Sequence, residues 1–132
     1  MLKLKIKFSI PGFHYWKNAP KQYDYLRNLH RHNFYWEIII ETTNDREIEI
    51  ISFNDRVQRL LKQEFNFLSG NMIVKTNPSH IYDLESLYFG GKSCEAIAQD
   101  TYDLIKQHYN DIKIKQIAVL EDNENGAIKE WE

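Results

Sequence analysis

The chain has 132 residues, 42% hydrophobic and 27% charged, values of an ordinary globular protein that argue against intrinsic disorder and fibrous repeats. This length suits one domain over residues 1–132, large enough to bury a core without staples. A formal charge of -2 gives no field to gather nucleic acid, and no segment has the uninterrupted apolar length that crosses a bilayer, so neither nucleic acid nor a membrane is an expected partner.

Leu2, Leu4, Ile6, Phe8 and Ile10 alternate with Lys3, Lys5, Lys7 and Ser9, the period-two pattern of a half-buried strand, which Pro11-Gly12 is expected to end. Residues 13–28 are rich in aromatic and turn residues and fit neither period, so a long functional loop with one helical turn is predicted there. From Leu29 to Thr42 the run is aromatic and β-branched, with His30, His32, Phe34, Trp36, Ile38 and Ile40 on one parity, the strongest strand in the chain. Thr43-Asn44-Asp45 offers turn chemistry, and Glu47 to Phe53 reads as the returning strand of a hairpin. Asn54 is then the expected cap of a helix carrying Val57, Leu60, Leu61 and Phe65 at helical spacing.

Residues 66–92 have no clear period; Met72 to Lys75 reads as a short strand and Asn77-Pro78-Ser79 as a turn. Ser93 is a good N-cap for a helix with the stripe Ile97, Ala98, Leu104, Ile105 and Tyr109, and Glu95 stands favourably in its first turn. Ile112 to Leu120, a turn around Asn123-Glu124-Asn125-Gly126 and a short strand ending at Trp131 complete the chain. Strands grouped before and after two helices predict an α+β fold, an antiparallel sheet with two helices on one face. The single cysteine, Cys94, excludes an intramolecular disulfide, and the lysine-alternating N-terminal segment does not resemble a signal peptide; both point to a cytoplasmic protein.

Residues two apart on a strand point to the same side, so His30 and His32 can present both imidazoles to one point. Zinc favours such nitrogen donors in a tetrahedral shell, and a catalytic site uses three protein ligands with a fourth position left open. A His-X-His pair is by itself a weak signal and supplies only two donors. His14, just past the first strand, is the natural third ligand, because an antiparallel neighbour would bring it to the start of the second strand. His108, near a helix C-terminus, reads as a surface residue complementing the dipole, and His80 as an exposed turn residue.

Leu29-His30-Arg31-His32-Asn33-Phe34 resembles the Leu-His-Gly-His-Asn-Tyr signature of the 6-pyruvoyl tetrahydropterin synthase and 6-carboxytetrahydropterin synthase family. Phe8-Ser9 before His14 is similar to that family's Phe-Ser-Ala-Ala-His. Ser93-Cys94-Glu95-Ala96-Ile97-Ala98 resembles its Thr-Ser-Glu-Asn-Leu-Ala helix start, and Val119-Leu120-Glu121 its Val-Tyr-Glu-Thr. The matches fall in one order across nearly the whole chain. The resemblance implies the tunnelling fold, in which antiparallel sheets backed by two helices assemble into barrels around a tunnel, here as a homo-oligomer (trimer, tetramer or hexamer). It implies zinc on His14, His30 and His32, a pterin or purine-like small-molecule ligand anchored by Glu121, and Glu95 either facing the ligand pocket or complementing the helix dipole. The implied activity is that of a zinc-dependent lyase; the alternative is a catalytically altered zinc-binding protein that binds such a ligand or serves an assembly role.

The chain also departs from the family pattern. Leu26 occupies the position of the bacterial enzymes' nucleophilic cysteine, four residues before the His-X-His pair. No Asp-His dyad occurs between Asn66 and Pro78, and His14 lies two residues further from Phe8-Ser9 than in the pattern. Asp24 and Tyr25, in the loop before the pair, are the candidates for proton transfer, with solvated loop residues as the simpler reading. Cys94 at a helix N-terminus is a candidate nucleophile, opposed by adjacent Glu95, and otherwise a small hydrophobe packed beneath the helix.

Overall fold

Even-numbered side chains from two long antiparallel strands, β1 (Leu2–His14) and β2 (His30–Thr42), form the floor of the core. Their register puts Ile6 opposite Ile38, Phe8 opposite Trp36 and Ile10 opposite Phe34, so apolar pairs face each other across the ladder. The structure, a computed structural model, describes residues 1–66 and 86–132. The expected strand at Met72 to Lys75, the turn at Asn77-Pro78-Ser79 and His80 lie outside the described residues.

β2 also pairs antiparallel with β4 (Lys113–Glu121), and β4 with β5 (Asn125–Glu130). A short strand, β3 (Leu87–Gly90), runs parallel to the end of β1, giving the order β3-β1-β2-β4-β5. The sheet is therefore mixed, antiparallel except at this edge. Helices α1 (Ile50–Glu64) and α2 (Cys94–His108) cover the even-numbered face. Phe53, Val57 and Leu61 from α1 join Ile97, Ala98, Leu104 and Ile105 from α2 in one apolar cluster with the sheet. Each large aliphatic or aromatic side chain buried in this way stabilises the fold by about 1.5–3 kcal/mol. Trp36, stacked on Phe8 with ring centroids 5.1 Å apart, keeps its indole N–H satisfied by donating to Thr101 Oγ1 at 3.2 Å.

Three expectations are corrected. The first strand passes through Pro11-Gly12 and ends only at His14. Pro11 is tolerated because β3 joins β1 from Gly12 onward, leaving an unpaired edge at the proline. The segment from Glu47 to Phe53 forms no returning strand: Ile50 opens α1, and the Glu49 carboxylate caps it by accepting from the backbone N–H groups of Ile51 at 3.1 Å and Ser52 at 2.6 Å. The β-branched run suggested a strand, but helical spacing lets Phe53, Val57 and Leu61 all reach the sheet, and that burial outweighs local propensity. Asn54 is consequently inside the helix, where its amide donates to the Lys7 carbonyl at 3.0 Å and ties α1 to β1. Finally, β3 was not expected at all.

Candidate metal centre and pocket

The core-facing row of β1 runs Ile6, Phe8, Ile10, Gly12, His14, and that of β2 runs Ile40, Ile38, Trp36, Phe34, His32, His30. The histidines thus continue the rows that build the core, at the end of the sheet where apolar residues stop. His14 is directly opposite His30, and Gly12 opposite His32. The two-residue offset of His14 from the family pattern leaves its face unchanged, because side chains alternate with a period of two. Gly12 suits a close approach: a Cβ there would stand 3.0 Å from the Phe34 ring and 3.3 Å from the Leu87 carbonyl oxygen, so any larger residue needs these neighbours to give way. That ring lies edge-on beneath His14 and His32, with centroids 5.2 and 5.8 Å away, as an apolar floor.

One nitrogen from each of His14, His30 and His32 lies within 4.8 Å of the others, the one such histidine, cysteine or carboxylate cluster among the described residues. Each Nδ1 is committed elsewhere. His14 Nδ1 donates to the Lys92 carbonyl at 2.9 Å, His30 Nδ1 to the Asn28 carbonyl at 2.9 Å, and His32 Nδ1 to Asp122 Oδ2 at 2.7 Å. Carbonyl and carboxylate oxygens only accept, so the proton of each neutral imidazole sits on Nδ1 and its Nε2 presents a lone pair. His14 Nε2 and His32 Nε2 are buried without a hydrogen-bond partner among the described residues. Leaving such an atom unsatisfied costs roughly 1–3 kcal/mol, and a shared cation satisfies it. Outer acceptors on Nδ1 with bare Nε2 atoms converging are the arrangement of metal-ligating histidines. The donor set therefore fits zinc.

Asp122 was not anticipated from the sequence. It follows Glu121 in the turn joining β4 to β5, where Asp122 and Asn123 have φ values of 53° and 58° and Glu124 N–H donates to the Glu121 carbonyl at 2.9 Å. This is a type I′ turn, whose left-handed positions suit Asp and Asn. One Asp122 oxygen holds His32, while the other accepts from Asn33 N–H at 2.9 Å. The hydrogen bond from His32 holds the Asp122 carboxyl below its ordinary range, helped by Asn33.

Glu121 reaches the same cluster from the end of β4. Its Oε1 is 3.2 Å from His14 Nε2 and its Oε2 3.5 Å from His32 Nε2, both at ion-pair distance. Interaction with His14 lowers the Glu121 pKa against the opposing effect of burial. For His14 burial favours the neutral ring, but Glu121 and the Lys92 carbonyl prevail and raise its pKa. His30 is lowered, by burial first and by the neighbouring imidazoles after it, despite the Asn28 carbonyl.

A pocket of about 370 Å³ opens beside the cluster, lined by His14, His30 and Glu121, by Tyr15, Trp16 and Leu26 of the loop after β1, and by Ser93, Cys94 and Glu95 at the start of α2. Ser93 caps that helix through Oγ, which accepts from Ala96 N–H at 3.3 Å. Cys94 Sγ donates to Glu121 Oε1 at 3.7 Å. Burial, followed by the charge of Glu121, pushes its thiol up to about 12, so the thiolate that a helix N-terminus favours does not form. Glu95 lines the pocket with its pKa lowered, chiefly by a hydrogen bond with Ser93. Asp24 and Tyr25 are not brought to the site. They lie on a short 3-10 helix, Lys21–Arg27, with Tyr25 65% exposed and Asp24 exposed too, and the residue this segment contributes to the wall is Leu26. The predicted helical turn in the loop is this segment. His108 is at the far end of α2.

Fold and site together define a class: a small α+β protein with a three-histidine cluster and a pocket carboxylate at one end of a mostly antiparallel sheet. The chain belongs to the 6-pyruvoyl tetrahydropterin synthase family, whose model matches residues 3–132. Among solved structures it is similar to an uncharacterized protein from Wolinella succinogenes, with a TM-score of 0.63 and 14% identity over 99% of this chain and 98% of that one. It is similar also to 6-pyruvoyl tetrahydropterin synthase from Caenorhabditis elegans, with a TM-score of 0.61 and 9% identity over 99% and 96%. No curated protein sequence matches. No helix among the described residues is long and apolar enough to cross a membrane.

Proposed function

We propose that this chain is a zinc-dependent, lyase-like protein acting on a pterin or purine-like small molecule. The observation that carries the reading is the convergence of His14, His30 and His32 with every Nδ1 held by an oxygen acceptor and two Nε2 atoms buried and unpartnered. Bound there, zinc would polarise a substrate hydroxyl or carbonyl and lower the pKa of bound water. Glu121, Glu95 and the rings of Tyr15 and Trp16 line a pocket next to the ligands, a setting suited to a flat heteroaromatic ring. A carboxylate can accept paired hydrogen bonds from a ring N–H and an exocyclic amine, and Glu121 is our candidate for that anchor.

A second reading is favoured by Leu26. It is part of the pocket wall at the family's cysteine position, and Cys94 stays protonated, so neither supplies a ready nucleophile. On this reading the chain binds the ligand without turning it over. Incubating zinc-loaded protein with dihydroneopterin triphosphate separates the two: product formation that disappears in His32→Ala supports the enzyme, whereas saturable binding without product supports the binding protein. In either case we expect a closed homo-oligomer, since the edge strand β5 exposes Ile128 at 62% and an unprotected edge invites pairing.

A further inference from the structure

The three tryptophans differ in their surroundings. Trp36 is stacked on Phe8 in the core, and Trp131 is stacked on Tyr102 with ring centroids 4.1 Å apart and planes 12° from parallel. Trp16 is 49% exposed, lines the pocket beside the histidines, and has no ring partner among the described residues. Adjacent Tyr15 is not equivalent, because its ring lies against Gly91, where a Cβ would stand 3.4 Å from it. The backbone around Trp16 is nevertheless fixed. Its N–H donates to the Leu26 carbonyl at 2.8 Å, its carbonyl accepts from Ala19 N–H at 3.2 Å, and Arg27 Nε–H donates to the Ala19 carbonyl at 2.8 Å. Ala19 itself is buried, which anchors the loop on the body of the protein. An exposed indole on an anchored loop offers a preorganised π face, and little ordering cost opposes a ring that stacks on it.

Resting on the pterin or purine-like ligand proposed above, we propose that Trp16 is the stacking platform of the pocket and restricts it to a flat, fully conjugated heterocycle. A π face accepts any planar ring, so stacking selects for shape and conjugation. The carboxylates of Glu121 and Glu95, which also line the pocket, read the hydrogen-bond donors at the edge of that ring. A reduced, puckered ring presents the same donor edge but loses contact with the indole. The reduced form of a pterin is therefore the poorer occupant.

The test is calorimetric titration of the protein, purified without a histidine tag, with pterin and with tetrahydropterin kept reduced under nitrogen. The two probes share the aminopyrimidinone edge and differ in whether the second ring is flat. Wild type should bind pterin more tightly than tetrahydropterin. Trp16→Ala should weaken pterin about tenfold and tetrahydropterin much less, removing the preference. Trp16→Phe keeps a ring and should stay within about threefold of wild type for both probes. Pterin affinity unchanged in Trp16→Ala, or weakened as much in Trp16→Phe, would overturn the platform. A wild type that prefers tetrahydropterin, or equal loss of both probes in Trp16→Ala, would overturn the selection for a flat ring. A wild type that binds neither probe removes the ligand reading itself and this inference with it.

Discussion

The two ends of β2 lie on the same strand and share one parity, yet their chemistry is opposite. From Phe34 to Ile40 the core-facing row is closed upon itself: every large side chain is buried, and the one polar atom, the Trp36 indole N–H, is paired with Thr101. From His32 to His30 the same row ends in imidazoles whose outer nitrogens are satisfied and which converge with His14, the Nε2 of His32 buried without a hydrogen-bond partner among the described residues. One end is complete with protein atoms alone; the other leaves imidazole nitrogens that the zinc we propose would satisfy. Phe34 is the boundary, belonging to the core and forming the floor under His14 and His32.

The comparison breaks most sharply at Trp36. Trp36→Ala should cost about 3–5 kcal/mol of stability, read as a fall in the denaturant midpoint, because it empties the centre of the core, while the Thr101 hydroxyl keeps its hydrogen bond to the Ile97 carbonyl. At the other end, His32→Ala should leave the far-ultraviolet circular dichroism of the metal-free protein unchanged but abolish its stabilisation by zinc. That stabilisation is about 2.7 kcal/mol for wild type at a free zinc concentration of 100 times Kd, and thermal unfolding with and without zinc reads it. A smaller effect is expected one shell outward: Asp122→Asn keeps the hydrogen bond to Asn33 available but loses the charged partner of His32, and should weaken zinc about 10–100-fold in chelator competition.

The smallest expected effect is a pH dependence of the metal-free protein. Asp122 and Glu121 have folded pKa values below their ordinary 3.8 and 4.5, so in acid the unfolded chain binds more protons than the folded one. Their contribution to stability is full above those ordinary values and is lost as pH falls through the depressed folded values. Urea midpoints measured between neutral pH and pH 3 should therefore fall less steeply in Asp122→Asn than in the wild type; parallel profiles would show that the His32–Asp122 pair does not persist in solution.

Much of this contrast was legible in the sequence, since a period of two on Leu29 to Thr42 already put the histidines and Phe34, Trp36, Ile38 and Ile40 on one face. His14 was legible as a residue beyond a strand end, although the strand proved to reach it through Pro11-Gly12, because the proline lies where β1 has a free edge. Glu47 to Phe53 was misread for the opposite reason: local β-branched residues masked a helical spacing whose value depends on the sheet it packs against. The fourth residue of the centre, Asp122, left no trace in any pattern, since it acts from a turn across 90 positions of sequence to His32. The acceptors on His14 and His30 are backbone carbonyls of Lys92 and Asn28, which any residue type provides. Even the strand β3, only four residues long, is too short for periodicity to reveal.

The most direct measurement is the zinc content of protein purified without a histidine tag, wild type beside His14→Ala, His30→Ala and His32→Ala, by elemental analysis after dialysis against a zinc buffer. The convergent imidazoles require about one zinc per chain in the wild type and a loss in each variant. A wild type that retains no zinc, or three variants that retain as much as the wild type, would contradict the metal centre.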